Sequence, residues 1–130
     1  MNPETLVSRI RQIAVTVSDV ESALTFYRDV LGLEFLFSAG ENLAFLAAGD
    51  IRIMLSTPQG AGTPGANSIL YFVVDDIDAV YSAVLARGAT DERGPSLTAR
   101  MPDHELWIAF VRDPDGNLVG LMEERRDIAT

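Results

Sequence analysis

The chain holds a single imidazole, His104, set between Asp103 and Glu105. Imidazole titrates near neutrality and a neighbouring carboxylate can orient it, so His104 is the candidate general acid or base. A loop histidine between two acids is equally the ordinary make-up of a solvated surface. No nucleophile–base pair, Ser-His-Asp order or glycine-rich phosphate loop accompanies it. There are no cysteines, which removes thiolate and disulfide chemistry. Two other polar residues, Gln12 and Arg52, stand in apolar runs, where each is costly to bury unpaired.

The elements that position these residues follow from periodicity. Arg11 to Val17 alternates Ile13, Val15 and Val17 against Gln12, Ala14 and Thr16, the period-two pattern of a half-buried strand. Ser18 followed by Glu21 reads as a capping box, and Val20, Ala23, Leu24, Tyr27 and Leu31 share one helical face. A helix over Asp19 to Leu31, closed by Gly32, is expected. Leu33 to Ser38, Leu43 to Ala48 and Ile51 to Ser56 read as strands, the last two joined by a two-residue Gly49-Asp50 hairpin. Thr57 to Asn67 is rich in Gly and Pro and reads as a linker.

The pattern then restarts. Ser68 to Val74 is a strand, and a helix capped within Asp75 to Asp78 runs to Gly88. Val17 to Glu21 aligns with Val74 to Asp78 at an offset of 57. Thr90 to His104 reads as an insertion with a strand near Ser96 to Arg100. Two apolar runs then flank Asp113-Pro114-Asp115-Gly116-Asn117, a tight β-hairpin loop. These signals describe an α+β fold of two tandem β-α-β-β-β modules forming a concave mixed sheet with helices on its outer face. The expected organisation is one domain over 1–130: module one about 9–56, a linker at 57–67, and module two about 68–123.

Composition narrows the partners. Ten basic against nineteen acidic residues give a net charge of −9. No basic stripe is present to displace counterions from phosphates, so no nucleic-acid partner is expected. No run reaches the roughly 18 apolar residues that span a bilayer, and Met1 to Thr5 has no signal pattern. A cytoplasmic protein is expected, with Met1 to Ser8 as a loose leader.

The tandem pattern, the Phe26-Tyr27-Arg28-Asp29-Val30-Leu31-Gly32 helix end and the Asp113-to-Asn117 turn together resemble the vicinal oxygen chelate superfamily. That group includes glyoxalases, bleomycin resistance proteins and dioxygenases. The resemblance covers about residues 9 to 123 and implies a divalent metal held by four side chains near the first and last strand of each module. Carried over, those positions fall on Gln12, on Ile53 or Met54, on Ile69, and on Gly120. Of these only Gln12 can coordinate, and a lone amide oxygen does not hold a transition metal. Glu105, Glu123, Glu124 or a second subunit would have to complete a site. No cofactor is therefore expected.

Alternation places Gln12, Arg52, Met54, Tyr71 and Met122 on the concave face, and a count from Gly120 across the hairpin adds Trp107. The expectation is a homodimer binding a small, partly apolar molecule there, a flat or apolar group meeting Trp107, Tyr71 and Met54, and an anionic group meeting Arg52. Two alternatives stand beside it. One is a lyase, isomerase or dioxygenase with altered metal ligands. The other is a dimeric interaction module without a ligand.

Overall fold

The computed structural model describes residues 6–58 and 62–126. The expected leader lies outside the described residues as far as residue 5, and the linker does so at 59–61. The first module runs β1 (Gln12–Thr16), α1 (Val20–Leu24), a π-helical turn (Thr25–Val30), β2 (Glu34–Ser38), β3 (Leu43–Ala48) and β4 (Ile51–Ser56). The second runs β5 (Leu70–Val73), α2 (Ile77–Ala86), β6 (Thr90–Arg100), β7 (Glu105–Arg112) and β8 (Leu118–Arg125).

Each module forms its own four-stranded mixed sheet, ordered β1-β4-β3-β2 and β5-β8-β7-β6. In both, the first strand pairs parallel with the last and the other pairings are antiparallel. The equivalence extends to single bonds. Val17 N–H donates to Ser56 C=O at 2.9 Å, and Val74 N–H, 57 residues later, donates to Met122 C=O at 2.8 Å. This is the α+β tandem-module fold that the repeat implies, with the sheet in two halves and β1 and β5 as unpaired edges.

The cap of α1 and one strand differ from expectation, while α2 is capped by Asp76 within the expected stretch. Asp19, not Ser18, caps α1: its carboxylate accepts from Ser22 N–H at 3.3 Å. Ser18 is taken elsewhere, its N–H donating to Asp115 at 3.1 Å. The helix widens after Leu24, where Leu31 N–H reaches back five residues to Phe26 C=O at 2.9 Å. That turn carries Phe26, Tyr27 and Val30, all buried. The expected insertion is mostly strand. β6 spans Thr90–Arg100 with three register shifts, and it tolerates Pro95 because it is the outer edge of its sheet.

One face of each sheet is covered by its helix. Val15, Val17, Ala44, Leu46, Ile53 and Leu55 meet Val20, Ala23, Phe26 and Tyr27. Ala109, Val111, Val119 and Leu121 meet Ile77 and Val84. Each fully buried Leu or Ile among them contributes about 1.5–3 kcal/mol.

The Asp113–Asn117 turn docks the second module onto the first. Asp113, 4% exposed, accepts from Asp115 N–H (2.9 Å), Asn117 N–H (2.8 Å), Asn117 Nδ2 (2.9 Å) and Tyr27 Oη (2.8 Å). Ser18 Oγ also donates to Asp115. Asn67 ties the linker in: its Oδ1 accepts from Thr16 N–H at 3.1 Å, and its Nδ2 donates to Thr16 C=O and to Asn117 Oδ1, both at 2.9 Å. The helix end and the turn that carry the family resemblance thus meet at Tyr27–Asp113 and join the two modules.

Burial and the adjacent Asp113 carboxylate push the Tyr27 phenol well above its usual value of 10.0. The unfolded chain ionises this phenol near pH 10 while the folded chain keeps it neutral. Its contribution is therefore whole below about pH 10 and declines as the pH rises further. Tyr27→Phe is expected to lower stability at neutral pH by about 1.5–3 kcal/mol and to flatten the alkaline loss. Urea titrations at neutral pH and above pH 10 check this; parallel pH profiles for the two proteins would contradict it.

Candidate functional site

The face of the first sheet turned away from α1 carries a connected group. The two-residue hairpin at Gly49-Asp50 sets β3 against β4 so that Phe45 pairs with Met54 and Ala47 with Arg52, while β1 sets Gln12 beside Arg52. Arg52 Nε donates to Gln12 Oε1 at 2.6 Å, and Gln12 Nε2 lies 3.8 Å from Met54 Sδ. The Arg52 guanidinium stands 5.5 Å from the centre of the Phe45 ring, which stacks on Phe37 at 4.6 Å. Phe37 is 48% exposed. Among the described residues no carboxylate forms a salt bridge with Arg52, although the chain is strongly acidic. A cation oriented by an amide and an aromatic face, with no acid partner, suits an anionic or π-rich group.

The second sheet carries a related group on the same side. Tyr71 lies over Gly120 and meets Phe110 edge-on at 5.8 Å, and Arg93 stands 4.9 Å above the Phe110 ring. Arg93 also has no carboxylate partner among the described residues. Met122 pairs with Val73 and Ile108. Gln12, Arg52 and Met54 are therefore brought together in one sheet, and Tyr71 and Met122 lie in the other.

Trp107 does not belong to this face. It pairs with Glu123, whereas Gly120 pairs with Phe110, so Trp107 shares the helix-covered face with Ala109 and Val111. Arg125 lies 4.5 Å over its ring, and its Nε1 donates to Glu105 at 3.1 Å. Of the expected group Trp107, Tyr71 and Met54, Trp107 is therefore on the wrong face, while Met54 lies on the open face of the first sheet and Tyr71 on that of the second. His104 lies in the β6–β7 turn, apart from Gln12, Arg52 and Met54. Its Nδ1 meets Asp103 Oδ1 at 2.7 Å, and Asp103 Oδ2 also accepts from Arg126 Nη1 at 2.6 Å. Bonds to His104 and then Arg126 hold the Asp103 carboxyl below its ordinary range.

The four positions where the superfamily resemblance implies metal ligands do not fit a metal. The oxygen of Gln12 is held by Arg52. Ile53 is buried on the helix side, which leaves Met54 on the open face. Ile69 offers no donor. A Cβ at Gly120 would stand 2.5 Å from Tyr71 Cδ2, so an acidic side chain there has no room while the ring is in place. The nearby acids are committed elsewhere: Glu123 accepts from Ile77 N–H and Arg125, Glu105 from Arg100 and Trp107, and Glu124 from Arg126. Among the described residues no three His, Cys, Asp or Glu side chains gather as a metal site.

Phe37, Phe45, Phe110 and Arg93 were not singled out from sequence. Counting through the Gly49-Asp50 hairpin from Met54 would have found Phe45. Nothing comparable points to Arg93, because β6 is irregular on both sides of it.

Residues 9–121 match the family model for the glyoxalase/bleomycin resistance protein/dioxygenase superfamily. A lactoylglutathione lyase of Haemophilus influenzae is 34% identical over 134 residues, covering 90% of this chain and 93% of that protein. Among solved structures, virulence protein STM3117 of Salmonella typhimurium is 28% identical with a TM-score of 0.77, covering 92% of this chain and 99% of that one. The antibiotic-binding protein TnmS3 of Streptomyces sp. CB03234 is 26% identical with a TM-score of 0.75, covering 92% and 98%. A sequence match over most of the chain and a shared two-module fold agree: this protein is a member of the glyoxalase/bleomycin resistance protein/dioxygenase superfamily.

Proposed function

We propose that this protein binds a small, partly apolar molecule bearing an anionic group on the open faces of its sheets, without the superfamily's metal. The observation that carries this reading is Arg52. It is oriented by Gln12, stands over Phe45 beside Met54, and has no carboxylate partner among the described residues. Apolar and aromatic walls with one oriented charge are the usual make-up of a ligand site. The likeness to the antibiotic-binding protein of Streptomyces supports it. Arg93 over Phe110 offers a second cation of the same kind. No helix among the described residues is long and apolar enough to cross a membrane.

The same reading takes the protein as a homodimer. Phe35, Leu36 and Phe37 on the β2 edge and Leu6, Val7 and Ile10 before β1 are exposed apolar groups that a second copy would cover. Lyase chemistry is favoured by the likeness to the Haemophilus protein, but it needs donors that Gln12, Met54, Ile69 and Gly120 do not supply.

The test uses the aromatic anion anilinonaphthalene sulfonate as a probe. Arg52→Met is expected to weaken its binding about tenfold or more, equivalent to about 1.4 kcal/mol, and added salt should weaken binding to the parent protein. Equal affinity in both proteins and no salt dependence would overturn the reading.

A further inference from the structure

A cavity of about 610 Å³ lies between the modules on the helix side of the sheets, away from Arg52. Its walls include Ile13, Ile51 and Ile53 from one module and Leu70, Phe72 and Val80 from the other, and none of its lining residues is ionisable except Tyr71. A charged occupant would be desolvated without a partner there. Apart from the Tyr71 hydroxyl, the lining residues have no polar side-chain atoms, so its other polar groups are backbone. Val74 N–H bonds β8, so by strand alternation Phe72 also turns its groups to β8, while Tyr71 and Val73 turn their N–H and C=O toward the unpaired edge. Tyr71 and Val73 line the cavity although their side chains belong to the open face.

We infer that this cavity is a second binding site, for a neutral small molecule with an alkyl or aryl body and one hydrogen-bonding group. The volume lies within the range that encloses such molecules. The walls take the apolar body, the β5 edge takes the single polar group, and the absence of charged side chains excludes ions. The inference is independent of the anion reading, because the two sites lie on opposite faces and Tyr71 is the one residue named in both, while Arg52, Gln12 and Met54 do not line the cavity.

The test titrates the protein with aminoanthracene, a neutral aromatic amine whose fluorescence rises in apolar surroundings. Saturable binding at one probe per chain is expected, unchanged by salt and by Arg52→Met. Val80→Phe and, from the opposite wall, Ile51→Phe narrow the cavity, and each is expected to weaken binding at least tenfold while the protein stays folded by circular dichroism. Two wall variants are used so that misfolding of one leaves the other to decide. Binding that survives both folded wall variants, or that is lost with Arg52→Met, would overturn the inference. So would binding seen only below the concentration at which chains associate, since a second copy would then be the occupant.

Discussion

Asp113→Ala is expected to destabilise the protein by about 3–5 kcal/mol, the largest loss of any single change at the module junction. The carboxylate is 4% exposed and accepts from four donors: Tyr27 Oη, two backbone N–H groups of its own turn, and Asn117 Nδ2. Alanine leaves all four without their acceptor, three of them in a buried setting and Asp115 N–H in a partly buried one, and each unsatisfied group costs about 1–3 kcal/mol before water relieves part of it. Urea denaturation reads the effect directly. A loss below about 1 kcal/mol would show that the turn is held by its φ angles alone and that the junction carries little.

Gly65→Ala is expected to cost about 2–4 kcal/mol through the same junction. Gly65 has φ +83, a left-handed conformation that costs an L side chain about 1–2 kcal/mol. Its added Cβ would also stand 2.6 Å from the backbone oxygen of Asp115, which cannot swing aside as a side chain does. Gly116→Ala in the same turn is the control. Its φ is +85, but nothing lies within 4 Å of a Cβ there, so only the conformational cost applies. Thermal or urea unfolding of the two variants separates strain from collision. Equal losses would remove the linker–hairpin contact from the account.

Local signals were legible wherever the physics was local. The repeat, the Gly49-Asp50 hairpin and both helix-bearing segments followed from periodicity and turn chemistry. Alternation along β4 places Arg52 and Met54 on the open face, which the pairing of Arg52 with Gln12 and of Met54 with Phe45 bears out. Trp107 is different, because the expectation for it rests on a count from Gly120 across the five-residue Asp113–Asn117 loop, and the pairing puts it on the other face. Arg112 pairs with Leu118 across five intervening residues, and a count one residue different reverses every side chain on β7. The Asp113 turn was recognised as a hairpin, but its role as a junction was not. Its partners Tyr27, Ser18 and Asn67 lie 50 to 97 residues away along the chain. Ser18 illustrates the competition: its spacing to Glu21 suits a capping box, yet Asp115 claims it and Asp19 caps instead.

The central claim, ligand binding without the superfamily's metal, is tested most directly by elemental analysis of protein purified and dialysed without chelator. With Gln12 bonded to Arg52, Met54 and Ile69 at the next positions, and Tyr71 lying over Gly120, well under one equivalent of Zn, Ni, Fe or Mn per chain is predicted. Stoichiometric metal that disappears on Gln12→Ala would contradict the account and restore the lyase or dioxygenase reading.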